Sequence, residues 1–188
     1  MTHAEKHIAW FNMMFAVVGT LCCCPVGAQE RLEAPPMPPG YANEGQIKLA
    51  ILTRLLKIVD AKNVPVPDSV QEIKDLEYGK AGQRSLHLDL YLPKTRHPVP
   101  GLIFIHGGAW KMGNRTDMKF YAVKYAARGY ATATISYRLT KEAPFPAAVH
   151  DAKCAVRWMR AHASQYRINP DQIAVSGNSA GAHLAMMI

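Results

Sequence analysis

Cysteine is scarce in this sequence, and its placement excludes two classes of structure. The chain has four cysteines in 188 residues, and three of them (Cys22, Cys23 and Cys24) are adjacent near the N-terminus. Cys154 is therefore alone in the rest of the chain, so neither a disulfide framework nor a metal-ligand spacing is available there. We expect Cys154 to pack against neighbouring residues, with a nucleophilic thiol as the alternative. We expect no metal and no cofactor.

Runs of like charge are also missing. The 22 Lys and Arg residues outnumber the 14 Asp and Glu residues and give a formal net charge of +8. These basic residues are scattered and form no stripe interleaved with aromatic residues, which argues against nucleic acid as a partner. We interpret the excess charge as a solvated basic face. With 49% hydrophobic and 19% charged residues, the composition is that of a globular domain with a core.

The N-terminal region lacks an uninterrupted apolar stretch of the usual membrane-spanning length. The apolar stretch that begins at Ile8 is interrupted by Asn12 and is followed by the small residues Val26-Gly27-Ala28, a pattern typical of a signal-peptide cleavage site. We therefore predict a signal peptide over residues 1–28, a mature chain that begins at Gln29, and export to the periplasm or the cell exterior. No stable membrane span is expected after cleavage. An uncleaved membrane anchor is the alternative.

A proline-rich segment follows the predicted signal peptide. Four prolines between Arg31 and Gly45 favour extended, unpacked chain and predict a linker over residues 29–45. The globular domain is predicted over residues 46–188. Within it, apolar residues recur at helical spacing from Ile47 to Val59, which predicts an amphipathic helix. This helix either covers the core or forms part of a lid over a pocket.

The remaining segments alternate between strand and helix patterns. Residues 70–93 predict an antiparallel hairpin with its turn at "KAGQ", and residues 101–106, "GLIFIH", are typical of a strand buried on both faces. The later patterns predict a helix over 117–129, a strand over 130–137, a helix from Pro146 and a strand over 171–177. This order predicts an α/β fold with a mostly parallel sheet and an antiparallel N-terminal hairpin.

A candidate nucleophile lies where the last predicted strand ends. Residues 177–181 are Gly-Asn-Ser-Ala-Gly, the G-x-S-x-G pattern in which a strand turns sharply into a helix and exposes a serine. The small flanking residues let the backbone adopt strained dihedral angles at the serine. An apolar strand precedes the pattern, and helix-forming residues follow it. We therefore predict that Ser179 is a catalytic nucleophile.

The segment "FIHGGAW", residues 104–110, supplies a second feature that an attacking serine needs. Attack on an ester carbonyl creates a negatively charged oxygen, which requires hydrogen-bond donors that are already in place. Gly107 and Gly108 have no Cβ, so their backbone can approach a substrate closely. We predict that the oxyanion is held by amides of Gly107, Gly108 or Ala109 together with the amide of Ala180.

These motifs give the sequence a family resemblance. Residues 85–188 resemble the esterase/lipase branch of the α/β-hydrolase superfamily, related to hormone-sensitive lipase and to bacterial carboxylesterases. The resemblance extends to a pattern formed by Tyr137, Arg138, Leu139, Phe145, Pro146, Ala147, Ala148 and Asp151. Ala109 stands where many lipase-like members have a third glycine. Trp110 is similar to the aromatic residue of a His-Gly-Gly-x-Trp subgroup, which includes esterases and arylformamidases.

The resemblance also implies roles for other polar residues. His106 would support the predicted oxyanion loop, the segment that contains Gly107, Gly108 and Ala109. His183 would be a packing residue, and His150 and His162 are interpreted as surface or core histidines. The catalytic order in the family is Ser, then Asp or Glu, then His, so Asp151 cannot be the triad acid. Nine residues follow Ser179, and none of them is Asp or Glu. We therefore expect a C-terminally truncated α/β-hydrolase domain.

The resemblance implies the function of a secreted serine carboxylesterase. It would act on small-molecule or polysaccharide-linked esters through an acyl-enzyme intermediate. Residues 29–188 alone would be aggregation-prone, because the strand before Ser179 would be an open apolar edge of the sheet. They would also lack serine-dependent esterase activity, because the proton-transfer partners would be missing. A prolyl-oligopeptidase-type peptidase and a non-catalytic binding module with the same fold are the alternatives. No oligomeric state is predicted.

Overall fold

The computed structural model of the protein describes residues 42–43, 45–46, 49–50 and 62–188. The chain forms two compact units, Met1–Val59 and Asp60–Ile188. The elements described in the second unit are β1 (Val70–Ala81), β2 (Arg84–Pro93), β3 (Val99–Ile105), a 3₁₀-helix (Arg115–Met118), α1 (Lys119–Ala126), β4 (Ala131–Ile135), α2 (Ala147–Ala161), α3 (Ala163–Tyr166), β5 (Ile168–Gly177) and α4 (Ala180–Met186).

The described residues of the first unit contain helical backbone. Residues 45–46 and 49–50 are helical. Asn43 caps this segment, since its side-chain Oδ1 accepts a hydrogen bond from the Gln46 amide at 3.0 Å. Helical backbone is therefore present before Ile47, where the apolar periodicity places its start. The predicted signal peptide, most of the linker and the rest of the amphipathic helix lie outside the described residues and stay predictions.

The sheet has the strand order β1-β2-β4-β3-β5. β2 pairs with β1 and β4 in antiparallel fashion, whereas β3 pairs in parallel with β4 and β5. Four of these five strands thus run in the same direction, with β2 opposed to them. The predicted mostly parallel sheet with an antiparallel N-terminal hairpin is confirmed. Gly82 lies in the hairpin turn with a φ of 61°, which glycine adopts without strain.

β2 is buried on both faces. Leu88 and Leu90 belong to a core that also contains Met159 of α2. The intervening Asp89 and Tyr91 are buried as well, with exposed fractions of 3% and 1%. The alternation of leucine with polar residues in this strand therefore does not mark a solvated face, because α1 and the 3₁₀-helix cover the second face of the sheet.

Element boundaries differ from the sequence patterns where tertiary pairing determines them. The predicted helix over 117–129 is divided into the 3₁₀-helix and α1, and α1 ends three residues before Gly129, whose φ is 96°. The predicted strand over 130–137 is shorter, because β4 finds ladder partners on β3 only from Ala131 to Ile135.

β5 lies at one edge of the described sheet, as expected for the strand before Ser179, and β1 lies at the other. β5 begins at Ile168, three residues earlier than predicted, because Ile168 pairs with Val99 of β3. At the opposite end, Gly177 pairs with Ile105. β3 and β5 therefore end side by side, and this register positions the candidate site.

None of the helices formed by the described residues has both the length and the apolar character that crossing a membrane requires. No three His, Cys, Asp or Glu side chains of the described residues are placed so that they could hold a metal ion.

Cys154 is half-buried, and its thiol donates to the Tyr78 carbonyl oxygen at 3.4 Å. It therefore packs against neighbouring residues, as expected from the sequence.

Candidate active site

The two predicted motifs meet at one edge of the sheet. Because Ile105 pairs with Gly177 at the ends of two parallel strands, the segments that follow them leave the sheet together. A Cβ placed on Gly107 would lie 3.2 Å from the Cβ of Ser179 and 2.8 Å from the Asn178 carbonyl oxygen. The predicted oxyanion loop and the predicted nucleophile are therefore in direct contact.

Ser179 lies in a strained turn. Its φ of 50° and ψ of −119° are values that residues other than glycine rarely adopt. β5 ends at Gly177 and α4 begins at Ala180, so only two residues reverse the chain. Ser179 is exposed, whereas Ala180 behind it is buried. This geometry presents the serine hydroxyl above the end of the sheet.

The two glycines of the G-x-S-x-G motif are required because the turn packs tightly against β3. A Cβ on Gly181 would overlap the carbonyl oxygen of Ile105 and lie 2.7 Å from that of His106. A Cβ on Gly177 would overlap the backbone of Gly181 and lie 2.8 Å from the Ile105 carbonyl oxygen. The spacing of the motif thus follows from the close approach of α4 to β3.

The oxyanion loop also holds left-handed backbone at successive positions. The φ angles of Gly108, Ala109 and Trp110 are 106°, 51° and 59°. For the two residues with a Cβ, such a conformation costs about 1–2 kcal/mol each. The Gly108 carbonyl oxygen closes the turn by accepting hydrogen bonds from the amides of Lys111 and Met112, at 3.0 and 3.1 Å. These bonds offset part of the strain.

The amides predicted to form the oxyanion hole are unused by the described part of the chain. Within it, the N–H groups of Gly107, Gly108, Ala109 and Ala180 donate to no other residue. Ala180 is the first residue of α4, where an amide has no acceptor inside the helix. Backbone donors beside an exposed serine hydroxyl are what stabilisation of a tetrahedral oxyanion requires.

His106 lies beneath the loop and is 1% exposed. Its Nδ1 lies 2.7 Å from the Gly107 carbonyl oxygen; since a carbonyl only accepts, Nδ1 carries the proton and donates. The Tyr137 ring stacks on the imidazole with centroids 4.4 Å apart, and the Tyr137 hydroxyl donates to the His106 carbonyl oxygen at 3.0 Å. Burial raises the pKa of Tyr137 to about 12, so the hydroxyl remains a donor. His106 is thus placed where it can support the loop.

The other histidines make different contacts. The ring of His183, which is on α4, meets Trp110 edge to face with centroids 5.4 Å apart. His162 stacks on Trp158, and His150 is exposed. Within the described residues, no histidine or carboxylate side chain is hydrogen-bonded to the Ser179 hydroxyl. The His183 backbone amide donates to the Ser179 carbonyl oxygen at 3.1 Å. The described site therefore contains the candidate nucleophile and the loop that is predicted to hold the oxyanion.

Comparison with known proteins identifies the family. The sequence model of the BD-FAE family matches residues 88–188. The chain belongs to the BD-FAE family. It is 36% identical over 121 residues to the probable carboxylic ester hydrolase LipM of Mycobacterium tuberculosis, an alignment that covers 60% of this chain and 27% of LipM.

Solved structures similar to this BD-FAE chain are also esterases. A bacterial heroin esterase matches with a TM-score of 0.59 and 31% identity, over 74% of this chain and 43% of that one. Thermogutta terrifontis esterase 2 phosphonylated by cyclosarin matches with a TM-score of 0.57 and 28% identity, over 64% and 46%. The predicted α/β-hydrolase fold and the esterase/lipase branch are confirmed. The chain spans less than half the length of each of these relatives.

An ion pair explains part of the pattern that carried the resemblance. Arg138, just after β4, donates to both carboxylate oxygens of Asp151 on α2, with distances of 2.6 and 2.9 Å, and its amide donates to Asp151 Oδ2 at 2.9 Å. Asp151 is 2% exposed. Further along, the Thr140 amide donates to the Trp110 carbonyl oxygen at 2.8 Å. The pair anchors the chain after β4, and that chain in turn contacts the predicted oxyanion loop of this BD-FAE member.

Sequence reasoning missed a second anchor of the same region. Arg115 starts the 3₁₀-helix that follows the oxyanion loop, and its Nε donates to the buried Asp89 carboxylate at 2.8 Å. Arg115 also pairs with Asp75, whose amide donates to Asp89 Oδ1 at 2.9 Å. The only local signal was an aspartate inside a strand that is otherwise rich in leucine.

The stability of the protein is expected to depend on the protonation of His106. Burial lowers the pKa of His106 below its ordinary value of 6.5, although its bond to Gly107 and the charge of Asp117 oppose the shift. Below pH 6.5 the unfolded chain therefore binds a proton that the folded protein resists. The contribution of His106 to the free energy of unfolding is constant above pH 6.5, and it is lost as the pH falls toward the folded-state pKa.

Urea unfolding at several pH values between about 5 and 7.5 measures this dependence. His106→Gln should flatten the plot of the free energy of unfolding against pH below pH 6.5, because the titrating ring is gone. His150→Gln removes an exposed histidine and should leave the slope as in the wild type. Equal slopes in all three proteins would contradict the expectation.

Proposed function

We propose that this BD-FAE protein is a serine carboxylesterase with Ser179 as its nucleophile. The observation that supports this most directly is the contact between the exposed, strained Ser179 and a loop whose amides are free to donate. A nucleophilic hydroxyl and an oxyanion hole are two of the parts that acyl transfer needs. The similarity to a carboxylic ester hydrolase and to a heroin esterase supports the same reaction class.

In the proposed reaction, Ser179 Oγ attacks the ester carbonyl carbon and the carbonyl electron pair moves to oxygen. That oxygen accepts hydrogen bonds from the amides of Gly107, Gly108 or Ala109 and from the amide of Ala180. Collapse of the intermediate breaks the bond to the alcohol oxygen, which leaves with a proton, and an acyl-enzyme remains. Water then attacks the acyl carbon, releases the acid and restores the serine.

Proton transfer in this scheme requires a base and an orienting acid. We propose that these are a His and an Asp or Glu that follow Ile188 in the full-length protein, with the acid first. The buried His106 is committed to the Gly107 carbonyl oxygen, and its low pKa disfavours the protonated state that a base must enter. His106 therefore acts as a positioning residue of the oxyanion loop.

The proposed substrates are small-molecule or polysaccharide-linked esters. Trp110 and Met112 belong to the loop segment beside Ser179 and are 37% and 66% exposed. Exposed apolar side chains next to a nucleophile suit the acyl or alcohol part of an ester. The proposal does not require a cofactor, because the serine and the backbone amides perform the chemistry.

We also propose that the protein is exported, which makes Gln29 the expected N-terminus of the mature chain. The small residues up to Ala28 support this. N-terminal sequencing of the product from a secreting host identifies the first residue of the mature chain. An intact Met1 on a cytosolic product would refute export.

Covalent labelling tests the nucleophile. A fluorophosphonate probe shares its phosphonylating chemistry with cyclosarin, which phosphonylates Thermogutta terrifontis esterase 2. In the full-length protein, mass spectrometry should find the probe on the peptide that contains Ser179, and Ser179→Ala should abolish labelling. Ser164→Ala, at an exposed position of α3, should label like the wild type.

Two results would overturn the assignment. Labelling of another serine would place the nucleophile elsewhere. Labelling of Ser179 in a protein that cleaves peptide amides and leaves esters intact would indicate a peptidase.

A further inference from the structure

A groove lies at the end of the sheet opposite Ser179. Its volume is about 460 Å³, and it is bordered by the end of β2, the start of β3 and the residues just before β5. β3 and β5 run from this end toward the oxyanion loop and Ser179. The groove is therefore separate from the proposed active site and is not explained by ester hydrolysis.

The groove carries a concentration of positive charge. Lys94 and Arg96, after β2, and Arg167, before β5, line it and are exposed. None of the described residues that line it is Asp or Glu, and within the described chain these three side chains form no ion pair. By contrast, Arg115 beside the same sheet is paired with the Asp89 carboxylate. Like charges around one groove repel, and an anionic ligand would relieve that repulsion.

The backbone that carries these charges is fixed. Arg167 has left-handed angles, with φ 53° and ψ 46°, and its carbonyl oxygen accepts a hydrogen bond from the Val99 amide at 3.0 Å. On the other wall, the Lys94 amide donates to the Ser69 carbonyl oxygen at 2.9 Å. Both walls are thus held before any ligand arrives, which lowers the entropy cost of binding.

The remaining lining groups indicate what kind of anion fits. Gln71 and Gln165 provide side-chain amides, which donate to and accept from hydroxyl groups. Tyr166 provides an aromatic ring, held by stacking on Trp158 with centroids 5.7 Å apart. Several cations, neutral amides and a ring face suit a ligand that combines carboxylates, hydroxyls and ring faces. An oligosaccharide of acidic sugars has all three.

We propose that this groove binds an acidic oligosaccharide as a second site, distinct from the esterase site. Carboxylates of neighbouring sugar units pair with Lys94, Arg96 and Arg167, and one sugar ring packs on Tyr166. Binding here does not depend on Ser179.

Isothermal titration of the purified protein with a uronic-acid trisaccharide tests the proposal. Arg96→Gln and Arg167→Asn should each weaken binding at least about tenfold, the scale of a lost charge-assisted hydrogen bond. Asn is chosen at position 167 because it tolerates left-handed backbone. Lys94→Gln, in an exposed turn, is a further variant that should weaken binding while the melting temperature stays constant. Added NaCl should weaken binding to the wild type.

Matched controls decide what the result means. Arg157→Gln removes an exposed cation of α2 that is not among the lining residues and should leave the Kd within about twofold, as expected for a distant surface charge. Ser179→Ala should bind the trisaccharide like the wild type even though its esterase activity is lost, so failure of this proposal and failure of the esterase proposal are distinguishable.

Three outcomes would overturn the second site. A neutral trisaccharide that binds as tightly would remove the role of charge. Inorganic phosphate that binds as tightly as the trisaccharide would indicate a general anion site. If Arg157→Gln weakens binding of the trisaccharide as much as the groove variants do, only the overall surface charge matters.

Discussion

Ser179→Ala in the full-length protein is expected to lower kcat/KM for a short-chain p-nitrophenyl ester by at least about a thousandfold, the scale for removing a nucleophile. The variant keeps a Cβ, so the contact of the turn with Gly107 is retained while the attacking oxygen is removed. Without Oγ, no acyl-enzyme forms. The oxyanion amides remain, and they account for the small residual rate above the uncatalysed reaction. Initial rates over a range of substrate concentrations measure the loss.

The matched control for this change is Ser164→Ala, which removes a hydroxyl from an exposed position of α3. It should retain wild-type kcat/KM. The melting temperature of Ser179→Ala should equal that of the wild type within experimental error, because the side chain is exposed. Ester turnover that survives in a folded Ser179→Ala protein would refute Ser179 as the nucleophile and with it the proposed reaction.

The features that the sequence predicts well have local causes. The "GLIFIH" segment is apolar throughout because helices cover both faces of β3. Ile103 and Ile105 lie in one core with Met159 of α2, whereas the Phe104 ring contacts aromatic rings of α1 on the other face. The G-x-S-x-G motif is recognisable because both Gly177 and Gly181 are forced by contacts within a few residues of the turn and with the end of β3. In each case the restriction on residue type falls on one short stretch of chain, where it is visible in the sequence.

Features that depend on distant partners were not predictable in the same way. Asp89 resembles a surface residue of an alternating strand, and it is buried because Arg115, 26 residues later, folds back onto it. The scattered basic residues predict a solvated basic face, and Lys94 and Arg167 are indeed exposed. Their meeting at one groove follows from the pairing of β3 with β5. Charge pattern alone does not indicate which cations converge, because convergence is set by strand order.

Gly107→Ala is expected to lower kcat by about a hundredfold, the scale for a displacement of about 1 Å between reacting groups. The added Cβ would lie 2.8 Å from the Asn178 carbonyl oxygen and 3.2 Å from the Ser179 Cβ. Either the loop or the serine turn must then move. In either case the amides of the loop would no longer point at the position where the oxyanion forms.

KM for the same ester should change by less than about threefold, because the loss concerns an interaction made mainly in the transition state. Gly129→Ala provides the control: Gly129 has a φ of 96°, and a Cβ there meets nothing within 4 Å, so the substitution strains the backbone far from the site. It should lower the melting temperature and leave kcat unchanged. If Gly107→Ala keeps the wild-type kcat, the loop can yield without cost, and the oxyanion must then be stabilised by donors other than the amides beside Gly107.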